Sequence, residues 1–402
     1  MKWILDGSVY DMEAGTFRRA DVAIQGERIA EAPPAGKPAG GDEVIHAAGL
    51  YLLPGLIDCH VHLVARSEEA DPSLNASRND GEIARYAEGA AERTLFAGVT
   101  TVRDVGGWNY IEMDLRTRIE GGHRSGPRMF LAGRLLSVPT PADRYYPGMY
   151  EVVRGSNDVR AAVKQQIDRG ADLIKVMATG AMLSPEDEDA GEAQFTPDEL
   201  RVLVETAEGK GVHVAAHAHA REGIENAVRA GVSSIEHGTF ADEPVLREMA
   251  DRGTFLVPTL CASPSAERDA ALLEAMPAHI RDRLERTQGV HIQMVRDAHR
   301  LGVPVAMGTD AGTPGNHHGG NADECVRMVE EAGMSPAASI RAATLNAAML
   351  LRQDGNLGTL EPGKYADVIG CRGNPLEDVR ELTRVAFVMK GGAILKNDLG
   401  SA

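Results

Sequence analysis

Short apolar runs alternate with turn residues at the start of the chain. The runs WILDG, SVYD and ADVAIQGERIAEA each have the composition of a β-strand, and the Pro/Gly-rich stretch 33–41 follows them. Near the other end, GNLGTLEPGKYADVIGCRGNP and VAFVMKGGAIL show the same alternation. The two ends are therefore predicted to pair with each other in one small β-sandwich.

Between these ends the pattern changes to apolar runs that finish in polar residues, each followed by a segment of helical period. This repetition is typical of consecutive βα units with parallel strands. There are eight runs, which is the number of strands in a TIM-like (β/α)8 barrel. They cover residues 53–62, 99–105, 127–137, 172–178, 213–219, 234–239, 254–260 and 303–310.

Two helical segments have recognisable N-terminal signals. Thr196, Pro197 and Glu199 form the pattern of a capping box, and a second helix is expected from Ser335-Pro336 through residue 351. The predicted fold class is α/β. The barrel is expected over residues 52–352, and the β-sandwich combines residues 1–51 with residues 353–402.

Composition narrows the range of partners. The 402 residues carry a formal charge of −17 with no basic cluster, which argues against nucleic acid and anionic membranes as partners. No run of about 18 apolar residues occurs, and the four cysteines are scattered without a CxxC pair. We therefore expect a soluble, cytoplasmic protein.

Residues able to bind a metal ion recur where the predicted strands end. In a parallel barrel these carboxyl ends form the functional face. Alternation along a strand places His60 and His62 on one face, and likewise His217 and His219. Imidazole and carboxylate groups bind zinc, and they also bind manganese, iron, cobalt or nickel. The full set is His60, His62, Lys175, His217, His219, His237 and Asp310.

Each of these residues alone has a more ordinary interpretation. A buried histidine is commonly a hydrogen-bonded core residue, Lys175 could form an ion pair, and Asp310 could cap a helix. Their joint occurrence at strand ends favours a metal site. Burial and nearby positive charge would lower the pKa of Lys175, and the neutral amine could then add carbon dioxide to form a carbamate that bridges two ions.

Across nearly its whole length the sequence resembles the amidohydrolase superfamily of binuclear metal-dependent hydrolases. The resemblance is to the imidazolonepropionase-like branch, which includes Xaa-Pro and Xaa-Arg dipeptidases and an ochratoxin-hydrolysing amidase. The motifs that carry it are PGLIDCHVHL, AGVTTVRDVGG, GADLIKVMATGAMLSP, VAAHAHA, GVSSIEHGTF, VPTL, MGTDAGTP and LEPGKYADVI. Barrels of this superfamily often assemble as homo-oligomers, so the resemblance also implies that this chain could form one.

The resemblance implies two divalent metal ions, with zinc as the expected metal. Lys175 in its carboxylated form would bridge them, Asp310 would serve as both ligand and general acid/base, and His219 would hydrogen-bond the developing oxyanion. The first, more buried ion would be held by His60, His62 and Asp310, the second by His217 and His237, and both by Lys175.

Two departures from the family concern the substrate. Dipeptidase-like members often have Tyr at the position of His219. They also commonly have Thr-Gly-Gly-His after the third strand of the barrel, where this chain reads SVPTPADRYYPGMYEV without a histidine. Substrates other than simple Xaa-Pro dipeptides are therefore expected. Imidazolonepropionase itself lacks the bridging lysine, which disfavours that activity. The candidate substrate-binding residues are Arg144, Tyr145, Tyr146 and His318.

The predicted function is hydrolysis of an amide bond in a dipeptide, an N-acyl amino acid or an aryl amide, by attack of a metal-bridging hydroxide. The same centre could hydrolyse a carbamate, a lactone or a phosphotriester. A different alternative is an inactive barrel used for binding. The acidic run of residues 186–189 could attract a cationic substrate, although a solvated surface run is the simpler interpretation.

Overall fold

The computed structural model describes residues 1–31, 38–264 and 269–398. Most of the Pro/Gly-rich stretch 33–41 and the last four residues of the segment 353–402 lie outside the described residues.

Strands from both ends of the chain share one sheet. Strands are numbered along the chain, and those of this sheet are β1 Lys2–Asp11, β2 Thr16–Gln25, β3 Arg28–Ala30, β4 Glu43–His46, β5 Tyr51–Pro54, β15 Val368–Cys371, β16 Phe387–Lys390 and β17 Ala393–Asn397. Their order in the sheet is β17-β16-β15-β5-β1-β2-β3, with β4 paired to β1. The antiparallel pairing of β5 with β15 joins the two ends, with Leu53 opposite Ile369. The expected boundary between residues 51 and 52 thus falls inside β5.

The first two apolar runs belong to a single strand. WILDG and SVYD both lie in β1, whose pairing with β2 shifts register between Ile4 and Gly7. Asp6 has a φ of 64°, so the turn signal in the sequence marks a bulge within the strand. A Cβ atom on Gly7 would lie 2.5 Å from Leu52 Cδ1, which explains the glycine.

The central strands are parallel and form two hydrogen-bonded groups, in the orders β6-β7-β8 and β10-β9-β11-β12-β13-β14. Their bounds are β6 Leu56–Val61, β7 Val99–Asp104, β8 Arg128–Leu131, β9 Leu135–Ser137, β10 Tyr150–Val152, β11 Leu173–Met177, β12 His213–Ala218, β13 Ser234–His237 and β14 Phe255–Val257. Almost every residue of these strands from β6 to β13 is buried, as expected where helices cover a parallel sheet.

Two expected strands differ in the structure. Residues 127–137 form two strands, β8 and β9, because Gly133 between them has a φ of 71°. Residues 303–310 have no continuous ladder. Their backbone bonds to β14 through Leu256 and to β6, where Cys59 N donates to Met307 O at 2.8 Å and Asp310 N to His60 O at 2.7 Å. This eighth segment therefore lies between the first and the seventh expected strands.

The helices follow the strands in sequence. The capping box at Thr196 is present, with Glu199 Oε2 accepting from Thr196 N at 2.9 Å. The helices are α1 Asp80–Phe96, α2 Ile111–Glu120, α3 Gly155–Asp168, α4 Pro197–Glu208, α5 Arg221–Ala230, α6 Glu243–Arg252, α7 Ala270–Ala275, α8 Ala278–Arg300, α9 Asp323–Glu330, α10 Pro336–Ala342 and α11 Leu345–Leu350. Within the three described ranges, no helix combines the length and the apolar character that crossing a membrane requires.

The helix expected from Ser335 through residue 351 is two helices. Ser335 caps α10 as predicted, with its Oγ accepting from Ala338 N. The chain then turns at Thr344, whose φ and ψ of −133° and −90° are not helical. The turn allows Asn346 Nδ2 to donate to Val305 O at 2.8 Å, and so ties α11 to the eighth segment.

A test of this packing uses Gly308, where the eighth segment touches β6. A Cβ atom there would clash with Val257 and lie 2.8 Å from His60 Cβ. Gly308→Ala should destabilise the fold by about 1–3 kcal/mol through overpacking and lower the Tm in a thermal melt. Gly289→Ala, in an open position on α8, is the control and should raise the Tm slightly. Equal melting temperatures for the two variants would contradict the packing described here.

Candidate metal centre

The predicted side chains converge where the strands end. His60 lies in β6, Lys175 in β11, His217 in β12 and His237 at the end of β13. With His62, His219 and Asp310 they line the same cavity, whose volume is about 1100 Å³ including its open mouth. All are buried except His62, which is partly buried. The side chains that the sequence pattern grouped together therefore line one cavity.

One half of the site is built around Asp310. Its Oδ1 lies 3.3 Å from His60 Nε2 and 3.3 Å from His62 Nε2. Burial alone would raise the pKa of Asp310, but the two imidazoles hold it well below its ordinary value. Burial lowers the pKa of His62, and the Asp310 carboxylate more than reverses this effect. This half of the site thus attracts positive charge.

The other half is formed by two histidines whose facing nitrogens carry no proton. His237 Nδ1 lies 2.7 Å from Thr259 Oγ1, whose hydroxyl donates to Pro258 O, so His237 Nδ1 must be the donor. His217 Nε2 donates to Gly180 O at 3.2 Å. The remaining nitrogens, His237 Nε2 and His217 Nδ1, lie 2.9 Å apart. Burial lowers the pKa of both rings, so two lone pairs face each other, an arrangement that fits a cation.

Lys175 provides an amine without a partner. It is 1% exposed, and its Nζ makes no hydrogen bond in the described structure. Burial lowers the pKa of this amine to about 8, although Glu236 and Asp310 oppose the shift. A buried lysine would ordinarily be paired, so the unsatisfied amine fits conversion to a carbamate. The donor set as a whole fits two divalent ions.

Backbone strain is concentrated at the same strand ends. Three non-glycine residues of the site have a positive φ: 69° at His237, 52° at Thr259 and 61° at Asp310. Each such conformation costs on the order of 1–3 kcal/mol and persists only where the surrounding structure holds it. Here it turns the side chains of His237 and Asp310 into the cavity.

Buried charged residues that the sequence did not single out lie behind the predicted ligands. Glu236 and Arg103 are fully buried, and Glu236 Oε2 lies 2.7 Å from His60 Nδ1. Asp58 accepts from His60 N at 3.0 Å, and His291 Nε2 donates to His237 O at 3.1 Å. The signal was available for Arg103, because a charged residue interrupts the apolar run VTTVRDV much as Lys175 interrupts LIKVM.

The four candidate substrate-binding residues are placed differently from one another. Tyr146 lines the cavity. Arg144 and Tyr145 are not among the lining residues, and Arg144 pairs with Asp187 at 2.5 Å where both side chains are more than half exposed. His318 lies behind His62, donating from Nε2 to His62 O at 3.2 Å. Tyr146 is thus the one of the four that lines the cavity.

The acidic run of residues 186–189, which follows β11, is not a uniformly solvated surface. Glu186, Asp187 and Asp189 are exposed, whereas Glu188 is buried. Its Oε2 accepts from Ala142 N and its Oε1 from Ser184 Oγ, each at 2.8 Å. Glu188 therefore fastens this loop to the loop that carries Tyr146.

Comparison with known proteins identifies the family. The amidohydrolase family pattern matches residues 51–395. Ochratoxinase from Aspergillus niger is 33% identical over 381 residues, covering 86% of this chain and 75% of that protein. Imidazolonepropionase from Cutibacterium acnes is 26% identical over 391 residues, covering 90% and 86%.

Solved structures agree with the sequence comparison. The crystal structure of a Xaa-Pro dipeptidase with bound methionine in the active site superposes with a TM-score of 0.88. The two are 33% identical, and the match covers 98% of this chain and 100% of that one. The chain therefore has the amidohydrolase fold, belongs to the amidohydrolase family and is a hydrolase that acts on carbon–nitrogen bonds.

Proposed function

We propose that this chain hydrolyses an amide bond in a small molecule, using two divalent metal ions, with zinc as the expected metal. The observation that carries the proposal is the pairing of an unbonded, buried Lys175 amine with imidazole nitrogens that face one another without a proton. The relatives named ochratoxinase and Xaa-Pro dipeptidase support the same reaction type.

The ions would be held by the ligand set predicted from the sequence. His60, His62 and Asp310 would hold one ion, His217 and His237 the other, and carboxylated Lys175 would bridge them. Bound divalent ions of this kind lower the pKa of water towards neutrality and polarise a carbonyl group. The other steps fall to side chains of the chain itself.

Proton transfer is assigned to Asp310. Its imidazole neighbours keep the carboxylate ionised, so it can accept a proton from the attacking water and pass it to the departing nitrogen. His219 is assigned to the carbonyl oxygen. Burial lowers its pKa to about 3, so the ring is neutral, and its Nδ1 is 2.9 Å from Thr239 Oγ1. For this role Nδ1 would accept from the Thr239 hydroxyl, so that Nε2 carries the ring proton and can donate it to the carbonyl oxygen.

The walls of the cavity favour an amide with a bulky apolar or aromatic group. Apart from the proposed metal ligands, the lining is largely apolar, and it also includes the charged residues Arg66, Glu69 and Asp71. An N-acyl amino acid or an aryl amide would bury more apolar surface here than a small polar dipeptide. The apolar wall consists of Leu135, Tyr146, Met149, Tyr150, Met177 and Met182.

Two alternative functions remain from the sequence. In the first, the same metal centre would hydrolyse a carbamate, a lactone or a phosphotriester. An inactive binding barrel is less well supported, because all six proposed ligands line the cavity.

The proposed framework is a closed (β/α)8 barrel with a terminal β-sandwich. It is supported by the hydrogen bonds of residues 303–310 to both β6 and β14.

Metal analysis tests the bridge. The purified protein should contain about two divalent ions per chain by elemental analysis. Lys175→Ala should lose most of this metal and most of its turnover, whereas Lys390→Ala, which removes a lysine of the terminal sheet, should retain both. A Lys175→Ala protein with full metal content and activity would remove the bridge from the mechanism.

The metal-free protein should show the cost of burying the Lys175 amine. Its folded pKa of about 8 lies below the ordinary 10.5, so the cost is fully present below pH 8 and disappears above pH 10.5. In metal-free, carbonate-free buffer, Lys175→Met should be more stable than the natural chain by about 3 kcal/mol at pH 7. Urea unfolding at several pH values measures this difference. A difference that did not shrink as the pH rises would contradict a buried ammonium.

A substrate panel tests the cavity wall. N-acyl amino acids with large apolar groups and aryl amides should be hydrolysed with a higher kcat/KM than simple Xaa-Pro dipeptides. Tyr146→Ala should reduce kcat/KM about 10-fold or more for the bulky substrates, by removing aromatic contact area, with less effect on small amides. Arg144→Ala, on a residue outside the cavity lining, is the matched control. A preference for Xaa-Pro dipeptides would overturn this assignment.

A further inference from the structure

A fully buried ion pair crosses the interior of the central strands. Arg103 lies in β7 and Glu236 in β13, and both are 0% exposed. Arg103 Nη2 donates to Glu236 Oε1 at 2.7 Å. Arg103 also donates from Nε to Cys59 O at 2.6 Å and from Nη1 to Ser234 Oγ at 3.0 Å. The guanidinium is thus held by three hydrogen bonds, and its partners lie on two other strands, β6 and β13.

The two oxygens of Glu236 have separate partners. Oε1 accepts from Arg103 and from Ser234 Oγ, the latter at 2.5 Å. Oε2 accepts from His60 Nδ1 at 2.7 Å. Since Arg103 and Ser234 both occupy Oε1, only Oε2 is left for the imidazole, and it can only accept. His60 Nδ1 must therefore carry the proton, which leaves a lone pair on Nε2, the atom that faces Asp310.

His60 differs from the other proposed ligands in this respect. The outward nitrogen of His62 donates to the carbonyl of Gly106, that of His217 to the carbonyl of Gly180, and that of His237 to a threonine hydroxyl. Among these four rings, His60 is the one whose outward N–H bonds to a carboxylate. A charged acceptor makes the imidazole a stronger electron donor and fixes its tautomer more firmly than a neutral acceptor does.

We propose that Arg103 and Glu236 are positioning residues that act through His60 and make the His60–His62–Asp310 position the tighter of the two metal sites. The inference rests on the proposed metal centre, but not on the identity of the substrate. Arg103 has a specific part in it, because it occupies Oε1 and so directs the other oxygen of Glu236 to His60.

This arrangement predicts that the double variant Arg103→Met/Glu236→Gln binds the first ion more tightly than the single Glu236→Gln variant does. In Glu236→Gln, Arg103 would retain the amide oxygen, and the amide NH2 would face His60 Nδ1. The ring would then shift its proton to Nε2, which blocks that atom as a ligand, and affinity for the first ion should fall about 10–100-fold. In Arg103→Met/Glu236→Gln the Ser234 hydroxyl no longer accepts from Arg103 and can accept from the amide NH2 instead, so the amide can rotate until its oxygen faces His60. The double variant should therefore regain most of the lost affinity.

The experiment titrates each metal-free protein with Co²⁺ in a metal buffer and follows the visible absorption of the bound ion, with bound metal counted by elemental analysis. ¹⁵N-histidine NMR of the metal-free proteins reports the His60 tautomer directly. Thr259→Val is the matched control, because it removes the outward partner of His237 and should weaken the second ion alone. Circular dichroism confirms that each variant is folded.

The outcomes are distinct. Loss of the first ion in Glu236→Gln with recovery in the double variant supports the proposal. Unchanged affinity in Glu236→Gln, equal weakening of both ions, or a double variant that binds more weakly than the single one would overturn it, since a purely structural ion pair predicts such results. If Glu236→Gln does not fold, the double variant, which leaves no unpaired charge, decides the question through its NMR tautomer. A natural chain that binds no metal would instead refute the proposed function.

Discussion

The site depends on the requirement that each buried imidazole have a hydrogen-bond partner on the side facing away from the cavity. A ring without such a partner would be free to exchange its proton between two nitrogens, and its ligand atom would be undefined. Gly106 O, Gly180 O, Glu236 and Thr259 meet this requirement for His62, His217, His60 and His237 in turn. The nitrogens proposed to bind metal are thereby all directed inward, and those of His217 and His237, which face each other at 2.9 Å without a proton, repel one another unless positive charge lies between them.

The rest of the fold must offset the free energy that this site costs the metal-free chain. Positive φ values at His237, Thr259 and Asp310, together with the buried Lys175 amine, all destabilise the metal-free chain. The compensating energy comes from apolar packing, since nearly all residues of the central strands are buried beneath helices. Tight contacts such as that of Gly308 with His60 hold the eighth segment against β6 and so keep Asp310 close to the two histidines.

The local sequence pattern was a good guide to the elements and a poorer guide to their continuity. The capping box at Thr196 and the N-cap at Ser335 are present because such signals depend on neighbouring residues alone. The breaks at Gly133 and Thr344 went unpredicted. They arise where the chain changes partners: Gly133 divides β8 from β9, and the turn at Thr344 lets α11 bond to the eighth segment. Such partners lie far away in the sequence.

For the site, the sequence by itself determined which chemical groups reach the cavity. The side-chain alternation of a strand and the repetition of βα units are local properties, and they were enough to predict that one cavity would be lined by His60, His62, Lys175, His217, His219, His237 and Asp310. Tertiary structure alone decided which nitrogen of each ring faces inward and which loop residue meets the substrate. Both depend on contacts between separate strands and loops, as between Glu236 and His60 or Glu188 and Ala142, and no spacing along the chain encodes them.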